Sequence, residues 1–426
     1  MSARAPYLLV GNSAAALAAV DWIRPRDPAG RIVLVNRERG TAYSRVALPY
    51  YVSGERTLES LMIRQRGDYE RLGVELVEGE GVARIDPEGE VELAGGRRLA
   101  FGTCLVATGS ECMRPPIAGL DAVPHHFLWT LEDAIGLRKA CEAGARTGVI
   151  IGGGFIGMLA AEALRKRKIR LTIVEAAPQL MAQLLDAEGG RRFATAVAAS
   201  GQEVRLGTAV ESVARRGSGA DVVLRGGERT AADVVVVATG VRPNLSAVAG
   251  GPIRTGKGVI VDAHLRTSHP RVHAAGDVAE VSDFLSRQPT IHAIWPTAVD
   301  QGRVAGANMA AANLGRPAMS YPGSLGMNVV ELFGVTLAEI GRFREEPGDD
   351  VRLLGGTGQG GYRKVVVDRD GTIVGTLYLG DEHGVAEMGV LHHAIKRRER
   401  WRDFAPGSPP RFSYAHLVHA AQQRAL

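Results

Sequence analysis

Apolar positions occur in short continuous runs, each followed by a glycine-rich turn and then by a helical pattern. Two such segments stand out, at residues 7–23 and 149–166. Short apolar runs of this kind are typical of parallel strands that are buried on both faces beneath helices. A second apolar run follows each helix, at residues 31–35 and 171–174. The pattern predicts an α/β fold with two Rossmann-like units of strand, turn, helix and strand.

Both units close in the same way. An apolar strand followed by Ala-Thr-Gly occurs at residues 105–109 and again at residues 234–240. This internal repeat makes one half a structural counterpart of the other. Residues 74–106 contain alternating strands, which we expect to form a small hairpin sheet that leads back to the main sheet. A further hairpin is predicted at residues 362–380, with its turn at residues 369–371.

The second unit carries a G-x-G-x-x-G fingerprint formed by Gly152, Gly154 and Gly157. The first glycine permits a tight turn, the second lets a pyrophosphate approach the backbone, and the third lets the helix pack on the strand. The helix N-terminus offers N–H groups to the phosphates. Glu175 follows about twenty residues later, where an acid suits an adenosine ribose and repels a 2′-phosphate. The spacing predicts an NAD(H) site, the alternative being a glycine-rich turn in another α/β unit.

The corresponding turn of the first unit is a degraded fingerprint. It keeps Gly11 but has Ser13 in place of the second glycine and Ala16 in place of the third. These residues are small enough for a pyrophosphate to approach, and the internal repeat favours a second nucleotide site over a purely structural turn. The usual acid at the end of the second strand is replaced by Asn36, which can hydrogen-bond a ribose, and Glu38 is another candidate.

Other segments contain further candidate cofactor contacts. Arg45 has the charge to pair with a phosphate, and Pro49 with the adjacent tyrosines can wall a flat ring, unless this segment is a surface turn with an aromatic plug. Asp277 follows a glycine turn, where a carboxylate can meet a ribityl hydroxyl. Pro296 and Thr297 begin a predicted helix whose first N–H groups face an electron-rich oxygen. The candidates in these segments are Arg45, Pro49, Ala107, Thr108, Gly109, Gly240, Gly276, Asp277, Trp295, Pro296 and Thr297.

Composition limits the functional classes. With 426 residues, of which 45% are apolar and 23% charged, the chain is expected to be an ordinary globular protein of two or three domains. It contains no long apolar run and begins directly with a predicted strand, so we expect no membrane span, no signal peptide and a cytoplasmic location. Cys104, Cys112 and Cys141 form no C-x-x-C motif, which argues against a dithiol centre and a metal site.

The net charge of +5 favours an acidic partner such as an electron-carrier protein. Nucleic acid would also be attracted, but the basic residues are scattered and cluster only at residues 165–170 and 396–402. Solvated helix faces explain both clusters. We therefore expect no specific binding of nucleic acid.

These motifs resemble those of the two-dinucleotide-binding flavoproteins, which include NADH oxidases, ferredoxin and rubredoxin reductases and the flavin domain of nitrite reductase. The most specific parts are residues 152–157, the two Ala-Thr-Gly strand ends and residues 273–277. The resemblance implies FAD and NAD(H) as cofactors, and an α+β C-terminal interface domain that forms homo- or hetero-oligomers. It also implies three domains. The FAD-binding domain would contain residues 1–112 and 244–318, the NAD-binding domain residues 113–243, and the interface domain residues 319–426.

The same resemblance assigns roles and shows departures. Phe155, followed by Ile156 in the NAD motif, falls where the family places an aromatic ring that shields the flavin until nicotinamide stacks in its place. Val46 stands where the peroxidase and disulfide-reductase branches have a redox cysteine, so neither sulfenate nor mixed-disulfide chemistry is expected. Leu159 replaces an acid that many relatives carry, which leaves no carboxylate there to position nicotinamide.

The resemblance implies an FAD-dependent oxidoreductase that transfers hydride between NAD(H) and FAD and electrons between FAD and an iron–sulfur protein or subunit. Residues 43–51 and 291–303 are also similar to the flavoprotein subunits of phenylglyoxylate dehydrogenase and related 2-oxoacid oxidoreductase complexes. Two alternatives remain open: a stand-alone NADH oxidase that reduces O₂, and a flavoprotein with a structural or signalling role that binds nucleic acid.

Overall fold

The computed structural model describes residues 5–355 and 361–404. Within them the chain forms two compact units. The first unit contains residues 5–48, 56–112 and 241–325, and the second contains residues 49–55, 113–240 and 326–404 except for the gap at 356–360. The end of the predicted interface domain, residues 405–426, lies outside the described residues, and the division into the domains given above stays a prediction.

Helices and strands are numbered in chain order through both units. The first unit contains β1 (Tyr7–Val10), α1 (Ala14–Ile23), β2 (Ile32–Asn36), α3 (Arg66–Arg71), β3 (Val74–Glu78), β4 (Val82–Asp86), β5 (Glu90–Leu93), β6 (Arg98–Ala100), β7 (Thr103–Val106), β8 (Ser110–Cys112), β16 (Val241–Pro243), β17 (Val259–Ile260), β18 (Val272–Ala274), β19 (Ala279–Ser282), β20 (Pro289–Thr290) and α7 (Trp295–Leu314).

The second unit begins within α2, whose first residue belongs to the first unit. It contains α2 (Leu48–Ser53), α4 (Leu131–Glu142), β9 (Thr147–Ile151), α5 (Phe155–Lys166), β10 (Arg170–Glu175), α6 (Ala187–Ala199), β11 (Glu203–Leu206), β12 (Val210–Arg216), β13 (Gly219–Leu224), β14 (Arg229–Ala232), β15 (Val234–Val237), β21 (Met327–Leu332), β22 (Val335–Gly341), β23 (Asp350–Gly355), β24 (Tyr362–Val367), β25 (Ile373–Gly380), α8 (Val385–Lys396) and α9 (Trp401–Phe404).

A five-stranded parallel sheet in the order β18-β7-β1-β2-β3 forms the centre of the first unit. The side chains of β1 and β7 are buried throughout, which explains why these strands read as continuous apolar runs. Val10 at the end of β1 pairs with Val35 of β2 on one side and Val106 of β7 on the other. The strand order reverses between β1 and β7, which is where open α/β sheets bind ligands.

Helices α1 and α7 pack closely because the residues that face each other are small. A Cβ atom on Gly302 of α7 would lie 2.1 Å from the carbonyl oxygen of Ala15 in α1. One turn later, a Cβ atom on Gly306 would lie 2.5 Å from the carbonyl oxygen of Ala19. The two backbones are therefore in direct contact, which fixes α1 and its N-terminal turn against α7.

The prediction for residues 74–106 is only partly correct. Strands β4, β5 and β6 form the expected antiparallel sheet. Residues Val74–Glu78, however, pair in parallel with Ile32–Asn36 as the edge strand of the main sheet. Alternation of apolar and polar residues does not distinguish a half-buried parallel edge strand from a hairpin strand.

The second unit repeats the design of the first. Its four-stranded parallel sheet has the order β11-β10-β9-β15, which reverses between β9 and β15. Helix α5 begins at Phe155, directly after Gly154 of the fingerprint. A three-stranded antiparallel sheet of β12, β13 and β14 precedes the last parallel strand. Two sheets of the same order confirm the predicted α/β fold with paired Rossmann-like units.

A five-stranded antiparallel sheet, in the order β21-β22-β25-β24-β23, completes the second unit. The predicted hairpin is present as β24 and β25, and Gly371 in its turn has a φ of +80°. Helix α8 packs on this sheet, where Glu387 forms a buried ion pair with Arg363 and Met388 contacts Thr376. In the described ranges, no helix combines the length and apolar character that a bilayer crossing requires.

Candidate functional site

The two units build the same turn at the point where strand order reverses. Gly11 and Gly152 end β1 and β9 with φ values of +126° and +109°, a region that favours glycine. A Cβ atom on Gly11 would lie 2.1 Å from the carbonyl oxygen of Ala107, and one on Gly152 would lie 2.3 Å from that of Ala238. Both glycines are therefore required by the close approach of the neighbouring strand end.

The turn before α5 has the geometry of a phosphate-binding loop. A Cβ atom on Gly157 would lie 1.9 Å from the carbonyl oxygen of Gly152, so the third glycine lets the helix pack on the strand. Gly154 is the N-cap of α5 and faces open space, with no side chain to satisfy the first N–H groups. Phe155 and Ile156 are the first two residues of this helix and are half-buried.

Glu175 ends β10 and holds the same loop. Its Oε2 accepts a hydrogen bond from the Gly153 N–H at 2.6 Å, and its Oε1 accepts one from the Ala177 N–H at 2.7 Å. A carboxylate has about four acceptor positions, so these two bonds leave room for ribose hydroxyls. Gly240, the other candidate of this unit, is exposed with a φ of +116°.

The first unit places its candidate residues around the N-terminus of α1. Ser13 is the N-cap residue in an extended conformation and makes no side-chain capping bond, while Ala16 is buried within the helix. Gly109 has a φ of +67° and faces open space. The side chain of Asn12, which sequence reasoning did not select, has a buried Nδ2 atom that finds no hydrogen-bond partner in the part of the chain that the structure describes.

Arg45 lies in an ion pair in the first unit. Its guanidinium forms an ion pair with Glu38, whose other oxygen accepts a hydrogen bond from the Tyr43 hydroxyl at 2.7 Å. Burial lowers the pKa of Arg45, but Tyr43, Glu38 and Asp277 together raise it above its ordinary value. Asn36 lies at the start of this turn and accepts a hydrogen bond from the Glu38 N–H at 3.3 Å.

Asp277 follows the turn at the end of β18. It is half-buried, and the partial removal of its carboxyl group from water raises its pKa, although Ser110 donates a hydrogen bond to it at 2.7 Å and Arg45 favours its charge. The adjacent Gly276, with a φ of +81°, donates its N–H to Gln301 of α7 at 2.7 Å. Gln301 is fully buried and was not predicted from sequence, because its partner lies 25 residues away.

The remaining candidates occupy loop and helix ends. Helix α7 begins at Trp295, with Pro296 exposed in its first turn and Thr297 buried. The Thr108 hydroxyl donates a hydrogen bond to the backbone carbonyl oxygen of Asn244 at 2.7 Å. This bond joins the Ala-Thr-Gly turn to the later segment of the first unit. Pro49 is buried, but it lies in residues 49–55, which cluster with the second unit.

The two tyrosines that follow Pro49 differ in their surroundings. The guanidinium carbon of Arg138 lies 4.6 Å from the centre of the Tyr51 ring, so one face of this ring is covered by a cation. Tyr50 is 42% exposed. Within the second unit, therefore, one ring face of Tyr51 is occupied by a side chain of the same unit.

Thiol chemistry receives no support from the cysteines. Within the described residues none of the three forms a disulfide, and Val46, which by the family resemblance stands where other branches have a redox cysteine, is 57% exposed. Burial raises the pKa of the Cys104 thiol far above its ordinary value, and burial likewise raises that of Cys141 to about 11. At neutral pH these two side chains are thiols rather than thiolates.

The residues of both turns fit a bound dinucleotide. In the first unit the glycine turn, the bare helix N-terminus and the unpartnered Asn12 Nδ2 offer donors to an anion. In the second unit the open space at Gly154 and the acid Glu175 fit an NAD molecule. The fold and the two glycine turns are those of a dinucleotide-binding protein.

Comparison with known proteins agrees with two nucleotide-binding sites. The sequence profile of the pyridine nucleotide-disulphide oxidoreductase family matches residues 5–302. The chain is 33% identical to the epsilon subunit of NADH-dependent phenylglyoxylate dehydrogenase from Aromatoleum evansii over 92% of its length and 91% of that protein. It is 29% identical to an NADH oxidase from Methanocaldococcus jannaschii over 74% of its length and 71% of that protein.

Among solved structures, the ferredoxin reductase of the CYP199A2 system from Rhodopseudomonas palustris superposes with a TM-score of 0.81 and 25% identity. The match covers 91% of this chain and 95% of that one. The chain belongs to the pyridine nucleotide-disulphide oxidoreductase family. It is an NAD(H)-dependent oxidoreductase whose cofactors are FAD and NAD(H), and the predicted family resemblance is confirmed.

Proposed function

We propose that the protein oxidises NADH at its second unit and delivers the electrons, by way of FAD held in its first unit, to an iron–sulfur protein. We further propose that it works as a subunit of a larger redox complex of the 2-oxoacid oxidoreductase kind. The observation that carries this proposal is the likeness to the epsilon subunit of phenylglyoxylate dehydrogenase, which extends over nearly the whole of both chains.

The second unit has the residues for binding NADH. The first N–H groups of α5 receive the pyrophosphate, and Gly154 leaves space for it. The Glu175 carboxylate accepts hydrogen bonds from the ribose hydroxyls, and its negative charge repels a 2′-phosphate. Phe155, at the first position of α5, covers the nicotinamide position until the substrate displaces its ring.

The first unit has the residues for holding the flavin nucleotide. FAD, when bound, supplies the capacity to accept two electrons as hydride and to release them singly. Arg45 and the N-terminus of α1 balance the negative charge of the phosphates, and the Asp277 carboxylate accepts a hydrogen bond from a ribityl hydroxyl. The first turn of α7, at Trp295 to Thr297, has backbone N–H groups without helical partners and the positive end of the helix dipole. Both would stabilise negative charge on the flavin ring.

The proposed mechanism uses no thiolate. Val46 stands in the position expected for a redox cysteine, and the raised pKa values of Cys104 and Cys141 keep their sulfurs protonated. In this proposal the electrons leave the flavin for an external acceptor and not for a cysteine of the chain.

Steady-state kinetics test the proposal directly. NADH consumption is measured first in air without added protein and then under nitrogen with an oxidised ferredoxin. We expect slow turnover in air and a large stimulation by ferredoxin, whose reduction is followed by its visible absorbance. Equal rates with and without ferredoxin would contradict the proposal.

Membership of a complex is tested on protein isolated from its native source. We expect the chain to purify with subunits that contain iron and acid-labile sulfide, in a particle much larger than one 45.2 kDa chain. A homogeneous particle that contains only this chain would contradict the subunit assignment while leaving the NADH chemistry intact.

A second candidate function is NADH oxidation with O₂ as acceptor. The 29% identity to an NADH oxidase over most of both chains favours it. Fast and sustained NADH consumption in air, without any protein acceptor, is the result that would establish this alternative.

Three of the five basic side chains in residues 165–170 form ion pairs within the second unit, which weakens the case for nucleic-acid binding there. Arg165 pairs with Glu162 at 2.8 Å, and Lys166 pairs with Glu55 at 2.9 Å. Arg167 donates to the carbonyl oxygen of Val52 at 2.8 Å and lies 4.0 Å from a carboxylate oxygen of Glu142. Neutralised cations of this kind add little to the affinity for a polyanion, because counterion release depends on free positive charge.

A further inference from the structure

A chain of hydrogen bonds in the first unit ends in an unused donor. The Ala42 backbone N–H donates to the Tyr69 hydroxyl at 3.1 Å, and this hydroxyl donates to Oδ1 of Asn12 at 2.8 Å. The other end of the Asn12 amide, Nδ2, is buried and has no partner among the described residues. A buried amide N–H₂ without a partner is costly, so the site is built for something else to accept from it.

The direction of this chain follows from its first member. A backbone N–H is always a donor, so the Tyr69 oxygen accepts from Ala42, and its own hydrogen is available for the bond to the Asn12 oxygen. That hydrogen requires the carbonyl oxygen of the amide, which leaves Nδ2 on the opposite side. Burial raises the pKa of Tyr69, so its hydroxyl keeps its hydrogen throughout the neutral range.

Asn12 lies in the turn where a bound dinucleotide places its phosphates. It follows Gly11 directly and precedes Ser13, the N-cap of α1, whose side chain makes no capping bond. The glycine fingerprint leaves this position unspecified, since only its neighbours are constrained by backbone approach. An amide donor fixed here would add to the backbone N–H groups of the helix N-terminus.

We propose that Asn12 is an FAD-binding residue whose Nδ2 donates a hydrogen bond to a phosphate oxygen, and that Tyr69 is the positioning residue that sets the orientation of its amide. This inference rests on the proposed placement of FAD in the first unit. It explains why Tyr69, 57 residues away in sequence, is buried with its hydroxyl directed at the glycine turn.

Equilibrium dialysis of the full-length protein against FAD tests the proposal. Asn12→Asp keeps the acceptor for Tyr69 but replaces the free donor by an oxygen, and we expect its Kd for FAD to rise about tenfold or more. Asn12→Ala, which adds no charge, is expected to raise the Kd by about fivefold or more and so separates lost donation from added repulsion.

Asn313→Asp is the control for added negative charge. Asn313 lies at the far end of α7, about 27 Å along the helix axis from Trp295, and its substitution is expected to leave the Kd unchanged. Tyr69→Phe is expected to weaken FAD binding in the wild-type background and to add nothing in the Asn12→Asp background. A merely structural role for Tyr69 would lower the thermal unfolding midpoint in both backgrounds without changing either Kd.

The outcomes separate this inference from the function on which it rests. Tight FAD binding by the wild type with an unchanged Kd for Asn12→Asp and Asn12→Ala would overturn the assignment of Asn12, and Nδ2 would then be bonded to water. Failure of the wild-type protein to bind FAD would overturn the proposed function instead.

Discussion

At the scale of single residues, Glu175 combines two tasks. Its carboxylate accepts hydrogen bonds from the N–H groups of Gly153 and Ala177, which fixes the glycine turn, and in the proposed function it also binds the ribose. The sequence predicted the second task from spacing alone. The first was not predictable, because it depends on which way the turn directs its N–H groups after folding.

We predict that Glu175→Arg lowers kcat/KM for NADH by about tenfold or more and raises it for NADPH, because a cation replaces the charge that repels a 2′-phosphate. Steady-state kinetics with both nucleotides measure the change. Glu175→Gln is the matched control, which keeps an acceptor for the turn and is expected to weaken NADH use without improving NADPH use. An unchanged preference in Glu175→Arg would show that this residue does not contact the ribose.

Glu339 is a buried acid that the proposed mechanism does not use. It lies on β22, accepts a hydrogen bond from Asn328 Nδ2 at 2.7 Å and is adjacent to Leu377 across the sheet. Burial raises the pKa of its carboxyl group from 4.5 to about 7. The folded protein therefore binds a proton here that the unfolded chain has already lost at neutral pH.

This raised pKa predicts a loss of stability as pH rises. Below about pH 4.5 both states are protonated, and between about pH 4.5 and 7 the folded state alone keeps the proton, so the free energy of unfolding falls by about 3 kcal/mol in total. Glu339→Gln is expected to remove this component and to be more stable than wild type at pH 8. Urea unfolding midpoints at several pH values measure the difference, and parallel pH profiles for the two proteins would contradict it.

At the scale of elements, the apolar runs predicted the strands of both parallel sheets and the glycines predicted their turns. The register of these strands and the close contact of α1 with α7 were not predictable. Small residues such as Gly302 are compatible with an exposed helix face as well as with backbone contact. Only the packed structure shows that the Ala15 carbonyl oxygen fills the space where a Cβ atom would lie.

We predict opposite effects for the same substitution in two helices. Gly302→Ala is expected to destabilise the protein by about 1–3 kcal/mol, because the new Cβ atom meets the backbone of Ala15 and overpacks the helix contact. Gly389→Ala in α8, where a Cβ atom meets nothing within 4 Å, is expected to stabilise by about 1 kcal/mol through helix propensity. Thermal unfolding measures both, and stabilisation by Gly302→Ala would refute the close contact.

At the scale of the whole molecule, the sequence repeat corresponds to two sheets of the same strand order, each with a glycine turn where the order reverses. The repeat was visible because both halves keep an apolar strand before Ala-Thr-Gly. Which ligand each half binds was harder to predict, because the first fingerprint lacks two of its three glycines. In this half, side chains distant in sequence hold the candidate turns: Tyr69 donates to Asn12, and Gln301 accepts from the Gly276 N–H.

The central claim is that electrons pass from NADH to an iron–sulfur protein through bound flavin. Its most direct test is anaerobic stopped-flow absorbance with the purified flavoprotein, in which NADH is mixed first and either air-saturated buffer or oxidised ferredoxin second. The account predicts rapid bleaching of the flavin by NADH, slow recovery in air and fast recovery with ferredoxin. Fast recovery in air with no acceleration by ferredoxin, or a flavin that NADH does not bleach, would contradict it.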